Sequence, residues 1–338
     1  MDSREAGRPD VARLMETILY EVKKVVVGQD HFLERVMIAM LAQGHLLVEG
    51  VPGLAKTLTV KTLARAVHGS FKRIQFTPDL VPADLVGTRI YNQKTGDFAT
   101  SLGPVFTNLL LADEINRAPA KVQSALLEVM QERQVTIAGE THFVAEPFLV
   151  MATQNPIETE GTYPLPEAQV DRFMMKVLIG YPTEEEEAVI VQRVTGAAVA
   201  VSAVATTAQM SALQRECRTA YVDPSLVQYA VRLSAATRDP ERYGITGLAQ
   251  YLTFGASPRA SIHMIEGARA LAFLRGRPYV LPEDVTDLAP DVIRHRLVLS
   301  YEALADGQTP DRIVERVMQG VPAPDKPLQT HVRVGADG

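Results

Sequence analysis

An apolar run followed by a glycine-bearing turn and a helix-periodic segment constrains the fold of this 338-residue chain more than any other feature. The run at residues 45–49 reads His-Leu-Leu-Val-Glu, and the turn at residues 50–57 reads Gly-Val-Pro-Gly-Leu-Ala-Lys-Thr. Apolar residues then recur at helical spacing, at positions 60, 63, 64 and 67. A strand, a glycine-rich turn and a helix that begins with Lys-Thr form the context of a phosphate-binding loop.

The residue types in this turn suit the chemistry of phosphate binding. The glycines let backbone N–H groups close around phosphate oxygens, and a helix N-terminus adds a favourable partial charge. Lys56 is placed to reach the β- and γ-phosphates, and the Thr57 hydroxyl to ligate Mg²⁺. The general pattern has Gly immediately before the Lys, where this chain has Ala55, which is small enough to fit. The predicted phosphate-binding residues are Gly50, Val51, Pro52, Gly53, Leu54, Ala55, Lys56, Thr57 and Leu58.

Composition narrows the class of protein. A formal net charge of −6 disfavours a general nucleic-acid binder, although a basic patch in a channel remains compatible with it. The single cysteine, Cys217, has no partner for an intrachain disulfide, and we interpret it as a packed thiol in a helix. That interpretation fits a reducing cytoplasm, the predicted location. The polar N-terminus lacks an apolar signal core, and no apolar stretch is long enough to insert into a membrane.

The spacing of apolar residues predicts two domains of different class. Strand-like runs alternate with helical patterns up to residue 180, which predicts a parallel sheet covered by helices; they occur at 46–49, 73–76, 109–112, 148–152 and 174–178. Beyond residues 181–182 the strand signals vanish and helices are predicted at 184–194, 208–219, 224–238, 258–275, 282–295 and 311–318. The predicted organisation is a flexible N-terminus (1–10), an α/β domain (11–180), an all-helical domain (181–320) and a loose tail (321–338).

A second motif places two carboxylates at the end of a hydrophobic strand. Residues 109–114 read Leu-Leu-Leu-Ala-Asp-Glu. Asp113 is expected to hold Mg²⁺ directly or through water, and Glu114 to orient or deprotonate the water that attacks the γ-phosphate. A strand that ends in a polar turn is common, so this motif alone is weak evidence. The phosphate-binding loop that precedes it in the chain makes the interpretation stronger. The acidic run at 184–187 is interpreted as a solvated helix start and not as a metal site.

Together these motifs resemble the MoxR family of AAA+ ATPases. The resemblance rests on the loop at 50–57, on Asp-Glu-Ile-Asn-Arg-Ala at 113–118, on Ala-Thr-Gln-Asn-Pro at 152–156 and on Leu-Pro-Glu-Ala-Gln-Val-Asp-Arg-Phe at 165–173. It extends over about residues 27–296. It implies an α/β fold, an AAA+ P-loop αβα sandwich with a parallel five-stranded sheet, followed by a smaller all-α lid domain. It also implies ATP and Mg²⁺ as bound groups.

The resemblance assigns roles to further residues. Asn155 matches a polar sensor of the γ-phosphate or the attacking water, although an Asn before a proline is also a common turn former. Arg172 matches an arginine finger that acts in trans on ATP held by a neighbouring subunit; the alternative is a surface arginine paired with Asp171. Arg259 matches the sensor-2 arginine of the helical lid. Val27 and Gly28 match the loop on the adenine side of the nucleotide.

Two segments with turn chemistry resemble the inserts of this clade. Residues 91–98 correspond to the helix-2 insert, and residues 134–144 to the hairpin before the sensor strand. In related machines such hairpins face the central pore or the partner, while the plain alternative is a pair of surface hairpins. Between them, residues 121–131 predict an amphipathic helix that buries Val122, Leu126, Val129 and Met130.

The favoured function is an ATP-hydrolysing remodelling factor. The resemblance implies a homo-oligomer, a hexameric ring, which matures or activates a client complex together with a von Willebrand factor A domain protein. One alternative is a nucleic-acid motor, which the acidic charge and the scarcity of basic residues on the two inserts, Lys94 and His142, disfavour. The others are the ATPase subunit of a magnesium chelatase and a nucleotide-dependent binding switch that scarcely hydrolyses ATP.

Overall fold

The computed structural model describes residues 8–51, 53–93, 96–156, 161–197 and 199–325. Pro52 and Lys94 therefore lie outside the described residues, as do the predicted flexible residues up to position 7 and the predicted tail from position 326. The chain divides into two compact units, Met1–Arg215 and Glu216–Gly338.

Five of the strands in the first unit form one parallel sheet in the order β2-β5-β8-β1-β9. The strands along this unit are β1 (Leu46–Glu49), β2 (Phe71–Gln75), β3 (Gly87–Asn92), β4 (Asp97–Leu102), β5 (Leu109–Asp113), β6 (Gln134–Ile137), β7 (Glu140–Phe143), β8 (Leu149–Gln154) and β9 (Met175–Leu178). The predicted five-stranded parallel sheet is confirmed.

Helices cover this sheet, which explains why its central strands are apolar without interruption. The helices along this part of the chain are α1 (Arg8–Lys23), α2 (Asp30–Ala42), α3 (Lys56–Ala66), α4 (Pro82–Val86), α5 (Ala120–Glu132), α6 (Glu167–Val170), α7 (Glu184–Thr195) and α8 (Thr207–Cys217). Helix α5 buries Val122, Leu126, Val129 and Met130 as predicted. Helix α1 begins at Arg8, so the predicted flexible N-terminus overlaps the start of a helix.

The acidic run at the start of α7 is part of a helix cap. The Thr183 side chain accepts a hydrogen bond from the Glu186 N–H, and the Glu186 carboxylate accepts one from the Thr183 N–H. This reciprocal pair is a capping box, which satisfies two N–H groups that a helix start leaves without partners. Among the described residues, no group of three or more His, Cys, Asp or Glu is arranged to hold a metal ion.

Both predicted inserts form antiparallel hairpins. Strands β3 and β4 pair from Gly87 opposite Leu102 to Asn92 opposite Asp97, directly after the short helix α4. Strands β6 and β7 pair from Gln134 opposite Phe143 to Ile137 opposite Glu140. The partner or pore that these hairpins would face stays a prediction.

The division between the units lies later in the chain than the predicted boundary near residue 181. Helix α7 and the connector after it are tied to the first unit: the Arg193 guanidinium donates to the carbonyls of Lys23 and Lys24 at the end of α1. The N–H of Ser202 donates to the buried Glu21 carboxylate. These contacts join residues far apart in sequence, so local periodicity could not reveal them.

The second unit is mainly helical. Its elements are α9 (Pro224–Arg238), β10 (Leu252–Phe254), α10 (Pro258–Leu274), α11 (Pro282–Ile293), β11 (Val298–Leu299), α12 (Tyr301–Ala305) and α13 (Pro310–Gly320). Proline occupies the first turn of α9, α10, α11 and α13, where its fixed φ suits a helix start. The expectation that strands are absent here was wrong, because β10 and β11 pair antiparallel. Both strands are too short to give an alternating pattern.

Cys217 is a buried thiol, as predicted. Burial raises its pKa to about 12, against the weaker opposing influence of Arg269 and Arg218. None of the described helices is both long and apolar enough to cross a bilayer.

Candidate functional site

A cavity of about 400 Å³ lies where the carboxyl ends of three adjacent strands, β1, β5 and β8, meet the start of α3. In parallel α/β sheets this edge is where ligands bind. The cavity is lined by Gly50, Gly53, Leu54, Ala55, Lys56, Thr57, Leu58, Arg73, Asp113, Glu114, Thr153, Gln154 and Asn155. Seven of the nine predicted loop residues are therefore brought together with both predicted carboxylates and the predicted sensor.

The loop itself adopts conformations that explain its glycines. Gly53 has a φ of 87°, a backbone conformation that favours glycine. Gly50 has no room for a side chain, since a Cβ there would lie 2.7 Å from the carbonyl oxygen of Ile179. Ala55 caps α3 with a φ of 56° and a ψ of 14°, in the left-handed region. Alanine at the position where the general pattern has glycine therefore carries backbone strain of about 1 kcal/mol.

Lys56 opens α3 and points into the cavity. Its Nζ donates a hydrogen bond of 2.5 Å to the carbonyl of Gly50, which folds the side chain back over the loop. Burial lowers the pKa of the Lys56 ammonium, and the nearby carboxylates of Asp113, Glu114 and Glu49 act in the opposite direction. The cavity thus holds a partly desolvated cation, which an anionic ligand would stabilise.

Thr153 connects the two carboxylate residues. Its hydroxyl donates to Asp113 Oδ1 at 2.6 Å and accepts from the backbone N–H of Glu114 at 2.9 Å. Glu114 itself lies in the left-handed region, with φ 56° and ψ 51°. Thr153 is buried on β8, the strand next to β5, so one hydroxyl fixes both residues at the strand end. The contacts of Thr153 place it between the two predicted carboxylates, beside the predicted sensor Asn155.

Three further side chains at the site were missed from the sequence or left without a role. Arg73 donates from Nε at 3.0 Å and from Nη2 at 2.7 Å to Asp113 Oδ2. Gln75 donates from Nε2 to Glu114 Oε2 at 2.7 Å, and the Arg117 Nε lies 3.0 Å from the same oxygen. Arg73 and Gln75 alternate on β2, which pairs with β5 so that Gln75 lies opposite Asp113. The sequence signal that could have revealed Arg73 and Gln75 is the pair of polar residues at alternate positions near the end of a strand.

The predicted Mg²⁺ ligands fit a magnesium site. The Thr57 hydroxyl and the Asp113 carboxylate line the same cavity, and both are the hard oxygen donors that Mg²⁺ prefers. Magnesium usually takes only one or two protein ligands and completes its shell with phosphate oxygens and water. A cation held by Asp113 would share that carboxylate with Arg73, which donates to Oδ2 in this structure.

Of the remaining predicted residues, Asn155 lines the cavity and the two arginines do not. Asn155 is buried and lines the cavity. Arg172 follows α6 and is not among the lining residues, and its Nε is buried without a hydrogen-bond partner among the described residues. Arg259 lies in the second unit, in the first turn of α10, where its N–H donates to the capping hydroxyl of Ser257. The roles of Arg172 and Arg259 stay predictions.

The two residues predicted to lie on the adenine side of the nucleotide do not line the cavity. Val27 and Gly28 precede α2, and neither lines the cavity, nor does Val51 of the loop. Gly28 has a φ of 62°, and a Cβ there would collide with the Glu186 carboxylate. The left-handed backbone conformation explains the glycine, while contact of this segment with a nucleotide stays a prediction.

Comparison with known proteins identifies the family to which this chain is similar. Residues 45–175 match the family described as "ATPase family associated with various cellular activities (AAA)", and residues 246–317 match an AAA lid domain. The chain is 55% identical over 310 residues to the chaperone MoxR1 of Mycobacterium tuberculosis, covering 92% of this chain and 82% of that protein. It is 31% identical over 328 residues to the protein MoxR of Methylorubrum extorquens, covering 90% and 93% respectively.

A solved structure agrees with these sequence matches. The crystal structure of a candidate ATPase from Cytophaga hutchinsonii superposes with a TM-score of 0.91 at 47% identity, covering 96% of this chain and 98% of that one. The parallel sheet and the helical second unit agree with the matches to an AAA ATPase and an AAA lid domain. This chain therefore belongs to the MoxR family of AAA+ ATPases.

Proposed function

We propose that this protein binds ATP with Mg²⁺ in the cavity at the end of β1, β5 and β8 and hydrolyses it to ADP and phosphate. One observation carries the proposal: a single cavity is lined by Lys56, Thr57, Asp113, Glu114 and Asn155. These supply a cation for the phosphates, two oxygen ligands for Mg²⁺, a carboxylate for the attacking water and an amide for the γ-phosphate. Phosphoryl transfer requires mainly such positioning and charge stabilisation.

Each residue has a distinct task in this scheme. Lys56 exchanges its bond to the Gly50 carbonyl for phosphate oxygens, because a triphosphate is the stronger acceptor for an ammonium. Thr57 and Asp113 would hold Mg²⁺, which would supply neutralisation of the phosphate charge. Glu114 orients the attacking water and receives its proton. The hydrogen bonds of Thr153 hold Asp113 and Glu114 in fixed positions relative to each other during the reaction.

Paired variants test binding and turnover separately. We expect Lys56→Ala to abolish ATP binding in a fluorescent-nucleotide titration, whereas Lys61→Ala, which alters an exposed lysine of the same helix, leaves it intact. Unchanged ATP affinity in Lys56→Ala would refute the assignment of the loop. We expect Glu114→Gln to bind ATP and to lose turnover by about 10²-fold or more. Normal turnover in Glu114→Gln would remove Glu114 from the role of activating carboxylate.

The proposal includes catalysis between subunits of a hexameric ring, with Arg172 reaching the ATP of its neighbour. An arginine finger stabilises the charge of the transition state and is worth about 10³–10⁵ in rate. Mixing Arg172→Ala with Lys56→Ala subunits should restore activity, because each subunit supplies what the other lacks. Absence of recovery in mixtures shown to co-assemble would count against a finger acting in trans.

The partner side of the proposal is remodelling of a client complex in the cytoplasm, with a von Willebrand factor A domain protein as co-factor of the ring. The similarity to a protein named chaperone MoxR1 supports the chaperone-like part. Glu114→Gln loaded with ATP should retain the client during affinity capture, whereas Lys56→Ala should not. Equal capture by both variants would show that client binding does not depend on bound nucleotide.

A further inference from the structure

A buried glutamine joins two segments that each lead to the predicted catalytic machinery. Gln123 on α5 is fully buried, and its Nε2 lies 3.2 Å from the carbonyl oxygen of Ile115, 3.0 Å from that of Ala118 and 3.1 Å from that of Tyr163. An amide NH₂ group has two hydrogens, so three carbonyl oxygens share two donors. Gln123 is thus a junction between distant backbone segments.

The first of these segments belongs to the nucleotide cavity. Ile115 and Ala118 belong to the short turn that directly follows Glu114, and this turn also carries Arg117, whose Nε contacts the Glu114 carboxylate. A change in the position of Glu114 therefore moves the carbonyl groups that Gln123 binds.

The second segment leads to Arg172. Tyr163 is held twice: its carbonyl accepts from Gln123, and its N–H donates to the carbonyl of Asn116 at 2.6 Å. From Tyr163 the chain passes through two prolines, Pro164 and Pro166, whose φ angles are fixed. It then enters α6, after which the Arg172 N–H donates to the Gln169 carbonyl at 3.1 Å. So short and stiff a connection transmits a displacement of Tyr163 to Arg172.

The junction also contains buried acceptors that lack donors. Neither Asn116 Oδ1 nor Gln123 Oε1 accepts a hydrogen bond from any described residue. A buried polar atom without a partner costs about 1–3 kcal/mol. An arrangement that gave either oxygen a donor would recover part of that cost.

We propose that Gln123 is a positioning residue that couples the segment after Glu114 to the segment carrying Arg172. The occupancy of a subunit's own cavity then controls where that subunit presents Arg172 to the next. The inference rests on the proposed function, because it takes Arg172 to act in trans. Gln123 itself contacts neither the cavity nor the reacting atoms in this scheme.

The first test measures coupling without any turnover. Gln123→Met keeps the length and packing of the side chain and removes its donors. We expect a non-hydrolysable ATP analogue with Mg²⁺ to change hydrogen–deuterium exchange in residues 161–170 of the wild-type protein, and this change to be lost in Gln123→Met. The affinity for the analogue should stay within about twofold, because the variant leaves every lining residue in place. The same analogue-induced change in Gln123→Met would overturn the coupling.

A matched control separates coupling from general loss of stability. Gln214 is also buried in the first unit, and its Nε2 donates to the Met40 carbonyl at 2.6 Å, but it touches neither segment. Gln214→Met should retain the analogue-induced change in residues 161–170. Loss of the change in both variants would show that it reports stability, and would overturn the specific role of Gln123.

The second test uses the mixture of Lys56→Ala and Arg172→Ala subunits. Gln123→Met is added to one of these two parent variants at a time. The Lys56→Ala subunit donates Arg172 while its own cavity stays empty, so this mixture reports how Gln123 holds the Arg172 segment in the empty state. With Gln123→Met in that subunit we expect the recovered rate to fall by about tenfold or more, because small misplacements of a catalytic group are costly. With Gln123→Met in the Arg172→Ala parent, the loss should be much smaller. Equal losses would overturn the inference. If the mixture without Gln123→Met shows no recovery, the proposed finger in trans fails, and the exchange experiment still decides the coupling.

Discussion

The hydroxyl of Thr153 offers the sharpest test of how the site is held together. Thr153→Val replaces the hydroxyl by a methyl group of similar shape. It removes the 2.6 Å hydrogen bond to Asp113 Oδ1 and the acceptor for the Glu114 N–H. A hydrogen bond to a charged group contributes about 1.5–3 kcal/mol, and a donor left without a partner costs about 1–3 kcal/mol. Burial of the added methyl recovers about 1 kcal/mol.

These terms predict that Thr153→Val lowers the free energy of unfolding by about 1.5–5 kcal/mol. Urea titration of the nucleotide-free protein measures this loss. The rate of ATP hydrolysis should fall by about tenfold or more at saturating ATP, since Glu114 loses the bond that holds its left-handed backbone conformation and general-base catalysis depends on its placement.

Thr153→Ser is the matched control. Serine keeps the hydroxyl and loses one methyl group, which costs about 1 kcal/mol of stability. The turnover rate of Thr153→Ser should stay within about threefold of the wild type, because both hydrogen bonds can still form. Wild-type turnover and stability in Thr153→Val would show that the hydroxyl bridge does not organise the two carboxylates.

Three further predictions concern the loop, the connector and the thiol. Ala55→Gly should raise the free energy of unfolding by about 0.5–1 kcal/mol in urea, because glycine tolerates the left-handed region, whereas Ala64→Gly inside α3 should lower it by about 1 kcal/mol. The pKa of Glu21 is lowered, chiefly by its hydrogen bond from Lys24 and then by that from the Ser202 N–H. The stability that Glu21 contributes is therefore present above the ordinary pKa of glutamate and lost as the pH falls through the lowered value. Glu21→Gln should destabilise at neutral pH and match the wild type in acid, and parallel pH curves would contradict this. Because the pKa of Cys217 is about 12, a disulfide reagent at pH 7 should modify the native thiol about 10³-fold more slowly than the unfolded one, and equal rates would contradict its burial.

The sequence was sufficient for the parts of the molecule that depend on local pattern. Helix α9 begins and ends where predicted, and β1 does as well, because each combines a clear period with a clear boundary signal. The loop at 50–57 and the carboxylates after β5 were also found, since the chemistry of each is contained in a few consecutive residues. Their meeting in one cavity follows from the parallel sheet, whose carboxyl ends share one edge.

What escaped prediction depends on contacts between distant residues. Arg73 binds Asp113 only because β2 pairs with β5 in a particular register, which the pattern of either strand alone does not specify. The connector between α7 and α8 has no period, yet the N–H groups of Val204 and Ala205 both donate to the Ala66 carbonyl at the end of α3. Long-range backbone bonds of this kind leave no local trace in the sequence.

The strand order has a consequence for how the protein is made. Within the described parts of the chain, strand β1 pairs with β8 and β9, both of which are synthesised long after it. While the chain emerges from the ribosome, β1 therefore has two unpaired edges, and such edges invite association with other chains. The loop that follows β1 cannot be fixed in place until β9 has docked. Nucleotide bound as proposed would therefore stabilise this unit only late in folding, and we expect nascent chains that stop before residue 175 to be unable to bind it.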